Sequence, residues 1–218
     1  MDSKKVTAVI INYQTPDLTQ QAVSSFRKFY PDIFLVLIDN GSRDDSVQLL
    51  KNNFYPYSHI TKFVVNSKNI HHGPAMHQAM QIVESEFILF IDSDCVVIEG
   101  GFIEKMIEVI ESDANNYAVG KMVFMNKRGF DVKQNGYKYI RPICMLVRRE
   151  LYFKINSFER HGTPCLKNMI AAVHRGYNLQ DFEIDKYIFH KGRGTASLHG
   201  YNLGLKGKIN YLLNKLGI

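Results

Sequence analysis

Apolar residues along this chain come in two alternating rhythms. The runs at 6–11, 33–38, 62–66 and 87–91 are nearly unbroken, as expected of strands buried on both faces. Between them, apolar positions recur every three or four residues, as on one side of a helix. Leu18, Ala22, Phe26 and Phe29 form the first such stripe, with Thr15 as a cap, Pro16 at the first helical position and Pro31 as a stop. Val47, Leu49 and Leu50 form a second, with Ser42 as its cap after a turn at Gly41. Ala75, Ala79, Ile82 and Val83 form a third, with Pro74 near its start. The order strand, helix, strand, helix, strand, helix, strand predicts an α/β fold with a mostly parallel central sheet flanked by helices.

The second half is less regular. A helix is predicted over 102–110, with Ile103, Met106, Ile107 and Ile110 on one side. Strands are predicted over 117–124 and 137–147, joined by a basic, glycine-containing turn. Thr163-Pro164 opens another helix, whose inward side reads as Leu166, Met169, Ile170 and Val173 before Gly176 ends it. A short strand at 187–189 leads into His190-Lys191-Gly192-Arg193-Gly194. The tail, 205–218, places Leu205, Ile209, Leu212, Leu213 and Leu216 along one helical side, with Lys206, Lys208 and Lys215 among them. Such a helix either packs on the core or lies on an anionic membrane surface. With no repeat and no linker, we expect one continuous domain in three stretches: 1–112, 113–200 and the tail, 201–218.

Composition narrows the field without choosing a function. The 218 residues are 45% apolar and 22% charged, enough for a core that needs no disulfide or structural metal. The three cysteines are scattered and lack metal-site spacing, which favours a reducing, cytoplasmic compartment. The N-terminus runs into the first strand with no signal-like segment, and no stretch reaches about 18 apolar residues. The net charge of +6 comes from dispersed lysines and arginines. With no nucleic-acid motif beside it, that charge suits phosphorylated small molecules or an anionic membrane surface rather than a nucleic acid.

The candidate chemistry gathers at strand ends. Ligands of parallel α/β sheets bind beyond the carboxyl ends of the strands, and here those ends carry Asn12-Tyr13, Asp39 and Asp92-Ser93-Asp94. Two carboxylates one residue apart at a sheet rim can hold a hard divalent cation together with a substrate phosphate. Asp and Ser also populate ordinary strand-end turns, so the motif alone leaves both readings open.

Taken in order, the motifs resemble those of the inverting family 2 glycosyltransferases of the GT-A fold. Val9-Ile10-Ile11-Asn12-Tyr13 is similar to that family's opening strand, and Leu37-Ile38-Asp39-Asn40-Gly41-Ser42 to its second-strand motif. The segment 69–79 resembles its Asn/Gly-rich segment, Asp92-Ser93-Asp94 its metal-binding D-x-D, and His190 its late histidine. The likeness is dense over 6–112, thinner over 113–200 and absent beyond.

The resemblance implies a metal-dependent enzyme moving a sugar from a nucleotide-sugar, foremost a UDP-sugar, to a hydroxyl of a glycan or lipid-linked acceptor. It implies a nucleotide site of Asn12, Tyr13, Asp39, Asn69, Gly73, Asp92, Ser93 and Arg193. Asp39 would accept from the base, Tyr13 would stack on it, and Gly73 would allow a close turn beside it. It implies Mn²⁺ or Mg²⁺ on Asp94, with Asp92 and His190. A lipid-linked acceptor would suit peripheral contact of 205–218 with the inner face of a membrane.

Two departures stand out. His77 and Ala79 occupy positions where the pattern has Asn and Gly. The acidic pair that supplies the catalytic base, one helix-length before the Gly176-Tyr177 landmark, is replaced by Pro164 and Cys165. Glu159 is the nearest upstream carboxylate and the candidate base, with His161 as a substitute. The missing pair keeps a second reading open, a non-catalytic nucleotide-sugar-binding or scaffolding protein. A sugar-nucleotide pyrophosphorylase fits poorly, because no glycine-rich phosphate loop follows the first strand.

Overall fold

The computed structural model describes residues 3–133, 135–159 and 163–192. Arg193, Gly194, His161 and the tail 205–218, all named above, lie outside the described residues.

Seven strands form one sheet in the order β3-β2-β1-β4-β7-β6-β8. They are β1 (Val6–Asn12), β2 (Phe34–Asp39), β3 (Thr61–Val65), β4 (Phe87–Asp92), β6 (Asn116–Met125), β7 (Tyr137–Arg148) and β8 (Asn178–Asp181). The first four pair in parallel. β7 runs antiparallel to both β4 and β6, while β8 is parallel to β6, so β7 alone is reversed. A separate ribbon pairs β5 (Cys95–Val97) with β9 (Ile188–His190).

The helices are α1 (Pro16–Phe29), α2 (Ser46–Phe54), α3 (His72–Ile82), α4 (Phe102–Glu111), the single turn α5 (Arg149–Tyr152) and α6 (Leu166–His174). Strand alternation sorts them onto two faces. Ala8, Ile10, Leu35, Leu37, Phe87 and Leu89 pack with α1, α2 and α4. Val9, Ile11, Val36, Ile38, Ile88 and Phe90 pack with α3, α5 and α6. The near-continuous apolar runs of β1, β2 and β4 are thus explained by burial on both sides, whereas β3, at the sheet edge, has no buried residue, contrary to the expectation for 62–66.

Several local expectations need correction. Ser42 caps no helix: α2 starts four residues later behind Asp45, and Ser42 bonds to Asp39 instead. Thr15 does hold the N-cap position of α1 but makes no side-chain capping bond. In α6 the buried side is Leu166, Asn168, Met169 and Ala172, while Val173 is exposed. The stripe turns because Asn168 is satisfied in the core: it accepts from the Tyr117 hydroxyl at 2.7 Å and donates to the Asn156 carbonyl. β5, α5 and β8 have no counterpart in the sequence reading.

Arg27 of α1 holds one flank of this layer. Its guanidinium donates to the carbonyls of Tyr30, Pro31, Ile33 and Ile60 and to the Thr61 hydroxyl, clamping the α1–β2 connection to the start of β3. Burial lowers its pKa to about 10.

Candidate active site

The carboxyl ends of β1, β2 and β4 lie side by side, with Asn12 opposite Asp39 and Ile11 opposite Asp92 in the register. Asp39 is fully buried. Its Oδ1 accepts from the Ser42 amide at 2.9 Å, and its Oδ2 accepts from the Ser42 hydroxyl and the Asn12 amide, both at 2.7 Å. Thr19 of α1 donates to the other end of the Asn12 side chain at 2.8 Å. In this structure Asp39 braces the strand ends. Tyr13 lies at the rim, half-buried.

The next residue, Asn40, ties that edge to the segment before α3. It donates to Asn69 Oδ1 and the His71 carbonyl, and accepts from the Asn66 side chain and the Ile70 amide. Gly41 beside it has φ +75°, and a Cβ there would stand 2.2 Å from the Lys68 carbonyl carbon, so no larger residue fits. Asn69 accepts from the His71 amide at 2.8 Å. The turn expected at Gly73 falls elsewhere: Gly73 is buried in the first turn of α3, and the residue at positive φ is His71, at φ 70° and ψ 163°. Only glycine visits that region freely.

That turn delivers His72, which the sequence reading did not select, to the acidic motif. His72 Nε2 lies 3.6 Å from Asp92 Oδ1, and each side chain is about a quarter exposed. Burial raises the Asp92 carboxyl above the usual range; His72 opposes that shift and Asp94 adds to it.

Asp94 meets the late histidine. In the β5–β9 ribbon Cys95 pairs with His190, and the Lys191 amide donates to the Asp94 carbonyl at 3.1 Å. The pairing sets His190 Nε2 3.2 Å from Asp94 Oδ1, with Asp94 nearly buried and His190 partly open. The hydrogen bond to Asp94 raises the His190 imidazole above its ordinary value, against the opposing effect of burial. Ser93, between the carboxylates, is also buried.

Among the described residues, Asp94, Cys95 and His190 are the set whose donor atoms lie within 4.8 Å of one another. Asp92 is not in that set; it faces His72. The Cys95 thiol donates to the Ile143 carbonyl at 3.3 Å, and burial pushes its pKa up, so it behaves as a protonated core residue. A carboxylate oxygen beside an imidazole nitrogen suits a divalent cation such as Mn²⁺, with Mg²⁺ favouring oxygen more strictly.

β7 forms the opposite wall. Its residue Cys144 pairs with Ile91, one residue short of the end of β4, so residues 137–142 overhang that end, and Tyr137–Ile140 of them pair with β6. Arg141 on this overhang pairs with Asp131 and carries its positive charge within reach of His190. Pro164 and Cys165 are buried at the start of α6. Burial raises the Cys144 and Cys165 thiols, and the charge of Asp92 adds to both shifts. The position where the acidic pair was expected is therefore occupied by a buried, non-ionised thiol in the apolar core. Glu159 is exposed and pairs with Lys167 at 2.9 Å. It follows Phe158, whose ring packs edge-on against Phe90 of β4 with centroids 6.1 Å apart.

Comparisons with known proteins agree with this architecture. The chain is 23% identical over 166 residues to the poly(ribitol-phosphate) beta-glucosyltransferase of Bacillus spizizenii, an alignment covering 75% of this chain and 26% of that protein. Its fold is similar to the mannosyltransferase PcManGT of Pyrobaculum calidifontis, solved with GDP-Man and Mn²⁺, at TM-score 0.67 and 13% identity, over 82% of this chain and 54% of that one. It is also similar to residues 1–349 of S. aureus TarS, at TM-score 0.59 and 17% identity, over 87% of this chain and 61% of that one. The chain thus spans about a quarter of its curated relative and somewhat over half of each solved chain. The model of glycosyl transferase family 2 matches residues 7–185, nearly the whole of the described fold, and the chain belongs to that family.

Proposed function

We propose that this chain is an inverting, metal-dependent glycosyltransferase that moves a sugar from a UDP-sugar to a hydroxyl of a glycan or lipid-linked acceptor. The observation that carries the reading is the 3.2 Å approach of His190 to Asp94 at the carboxyl edge of the sheet, beside the Asn12–Asp39–Ser42 cluster. Asp94 and His190 would hold Mn²⁺ or Mg²⁺, with Asp92 contributing to the nucleotide side. The chemistry such a cation would supply is neutralisation of the charge on the leaving nucleoside diphosphate. Tyr13 offers its ring to the base, and Asp39 with Asn12 fixes the strand ends that shape the base pocket. Asn69, Gly73 and Ser93 line the nucleotide, and Arg193 completes the phosphate side. Glu159 would deprotonate the acceptor hydroxyl, exchanging its exposed ion pair with Lys167 for the acceptor. Among the described residues no helix is long and apolar enough to cross a membrane. The proposal places the chain in the cytoplasm, with 205–218 resting on the inner face of a membrane.

Calorimetric titration of UDP and of GDP, each with and without Mn²⁺, tests the donor side. Metal-dependent UDP binding that is lost in Asp94→Ala is the expected result. Binding that ignores the metal, or a preference for GDP, overturns the metal or the base assignment respectively.

A second reading, a nucleotide-sugar-binding protein without turnover, draws on the buried Pro164 and Cys165 where the acidic pair was expected. Donor hydrolysis or transfer that falls in Glu159→Gln rejects it; UDP binding with no turnover of any UDP-sugar supports it.

A further inference from the structure

We propose that His72 is a positioning residue of the donor site, orienting Asp92 from the start of α3 much as Asp94 is engaged by His190. This inference rests on the metal-dependent donor site proposed above. Three independent features support it. The first is the approach itself: His72 Nε2 stands 3.6 Å from Asp92 Oδ1, and each side chain is about a quarter exposed. The second is the backbone that puts His72 there. His71 is held at φ 70° and ψ 163°, a conformation costing a non-glycine residue about 1–3 kcal/mol and retained where the surroundings over-determine it. The third is the scaffold around that strained residue. Asn69 and Asn40 bond to its amide and carbonyl, and Asn40 follows directly on Asp39, so the turn is built from the same strand end as the Asn12–Asp39 cluster.

A gap of 3.6 Å is longer than a hydrogen bond. Catalytic contacts of this kind commonly tighten only when the ligand binds. An imidazole N–H aimed at one carboxylate oxygen leaves the other oxygen directed at the ligand. Partners of this kind commonly matter 10- to 100-fold to metal affinity. The geometry therefore gives each carboxylate of the D-x-D its own histidine, from two distant parts of the chain. Asp94 takes His190 of the β5–β9 ribbon, and Asp92 takes His72 of α3.

The test is a double-mutant cycle read by binding rather than turnover. UDP affinity in saturating Mn²⁺ is measured by calorimetry for the full chain, His72→Ala, Asp92→Asn and the double variant. His72→Gln is added because it keeps an N–H donor. The expected result is a loss of about 10-fold in His72→Ala, with most of it recovered in His72→Gln. In the Asp92→Asn background the alanine substitution should have little further effect, because a residue acting through another is non-additive with it. Thermal midpoints should stay together across the set. Unchanged affinity in His72→Ala, no recovery in His72→Gln, or additive losses in the cycle each overturn the proposal. If His72→Ala does not fold, His72→Gln alone decides: it must bind within a few-fold of the parent. Absence of Mn²⁺-dependent UDP binding in the parent sinks the donor-site reading and this proposal with it. Binding in the parent with an additive cycle sinks this proposal alone.

Discussion

The amide of Asn12 donates to the carboxylate of Asp39 across 2.7 Å, joining the last residues of two adjacent parallel strands. Both side chains are fully buried, and Thr19 and Ser42 complete the group from α1 and the following turn. Replacing Asp39 with Ala would leave the Ser42 amide and the Asn12 amide short of their acceptor. Each buried donor left unsatisfied costs about 1–3 kcal/mol, so we expect Asp39→Ala to lose at least about 2 kcal/mol in urea unfolding, by the same rule. Asp39→Asn should lose less, since it keeps an acceptor for Ser42. An unchanged midpoint in Asp39→Ala would show that the cluster relaxes freely.

His190 predicts a pH dependence of the metal-free protein. Its imidazole pKa is raised in the fold, chiefly by the hydrogen bond to Asp94, so the protonated form is favoured by folding. The corresponding stability is fully present below the ordinary value of about 6.5 and is lost as pH rises through the higher folded value. Thermal midpoints in chelator should therefore fall across that window, and His190→Gln should flatten the fall. A cation needs the neutral imidazole, so Mn²⁺ affinity should rise with pH over the same range.

Arg27 is a clamp that lysine cannot replace. A planar guanidinium reaches the carbonyls of Ile33 and Ile60 together, whereas an ammonium presents one point of donation. We expect both Arg27→Lys and Arg27→Met to be destabilised by about 2–3 kcal/mol in chemical denaturation. Full stability in Arg27→Lys would show that charge alone suffices.

His71 makes a prediction of opposite sign. Glycine adopts φ 70° without strain, at an entropic cost of about 0.5–1 kcal/mol, against strain of about 1–3 kcal/mol. His71→Gly should therefore be stabilised by up to about 2 kcal/mol by these figures. A lower thermal midpoint in His71→Gly would mean that the imidazole itself supports the turn.

The legibility of this chain followed how its elements are buried. β1, β2 and β4 are covered on both faces, so their sequences are unbroken apolar runs and their ends could be placed to within a residue or so. β8, Asn178–Asp181, is a short polar edge strand, and α5 is a single turn following β7; neither carries a periodic signal. The α6 stripe was misjudged because a buried Asn168 looks like a surface residue until its partners Tyr117 and Asn156 are seen. At the site, Asp94 and His190 were legible as motifs, and the structure brings them together. His72 was not, because its relation to Asp92 depends on the backbone at His71, where the sequence offers no glycine to signal a positive φ.

The β5–β9 ribbon has one further consequence. The strand carrying His190 hydrogen-bonds to the residues immediately after Asp94, so the two ligand candidates share one small piece of framework although 96 positions separate them. Ile188 pairs with Val97, and the Tyr187 carbonyl accepts from the Ile98 amide at 2.8 Å. Substitutions at Val97 and Ile188, apolar positions that touch no ligand, would be read out as changes in the grip on the cation, and a screen for metal-binding defects should recover them alongside the carboxylates.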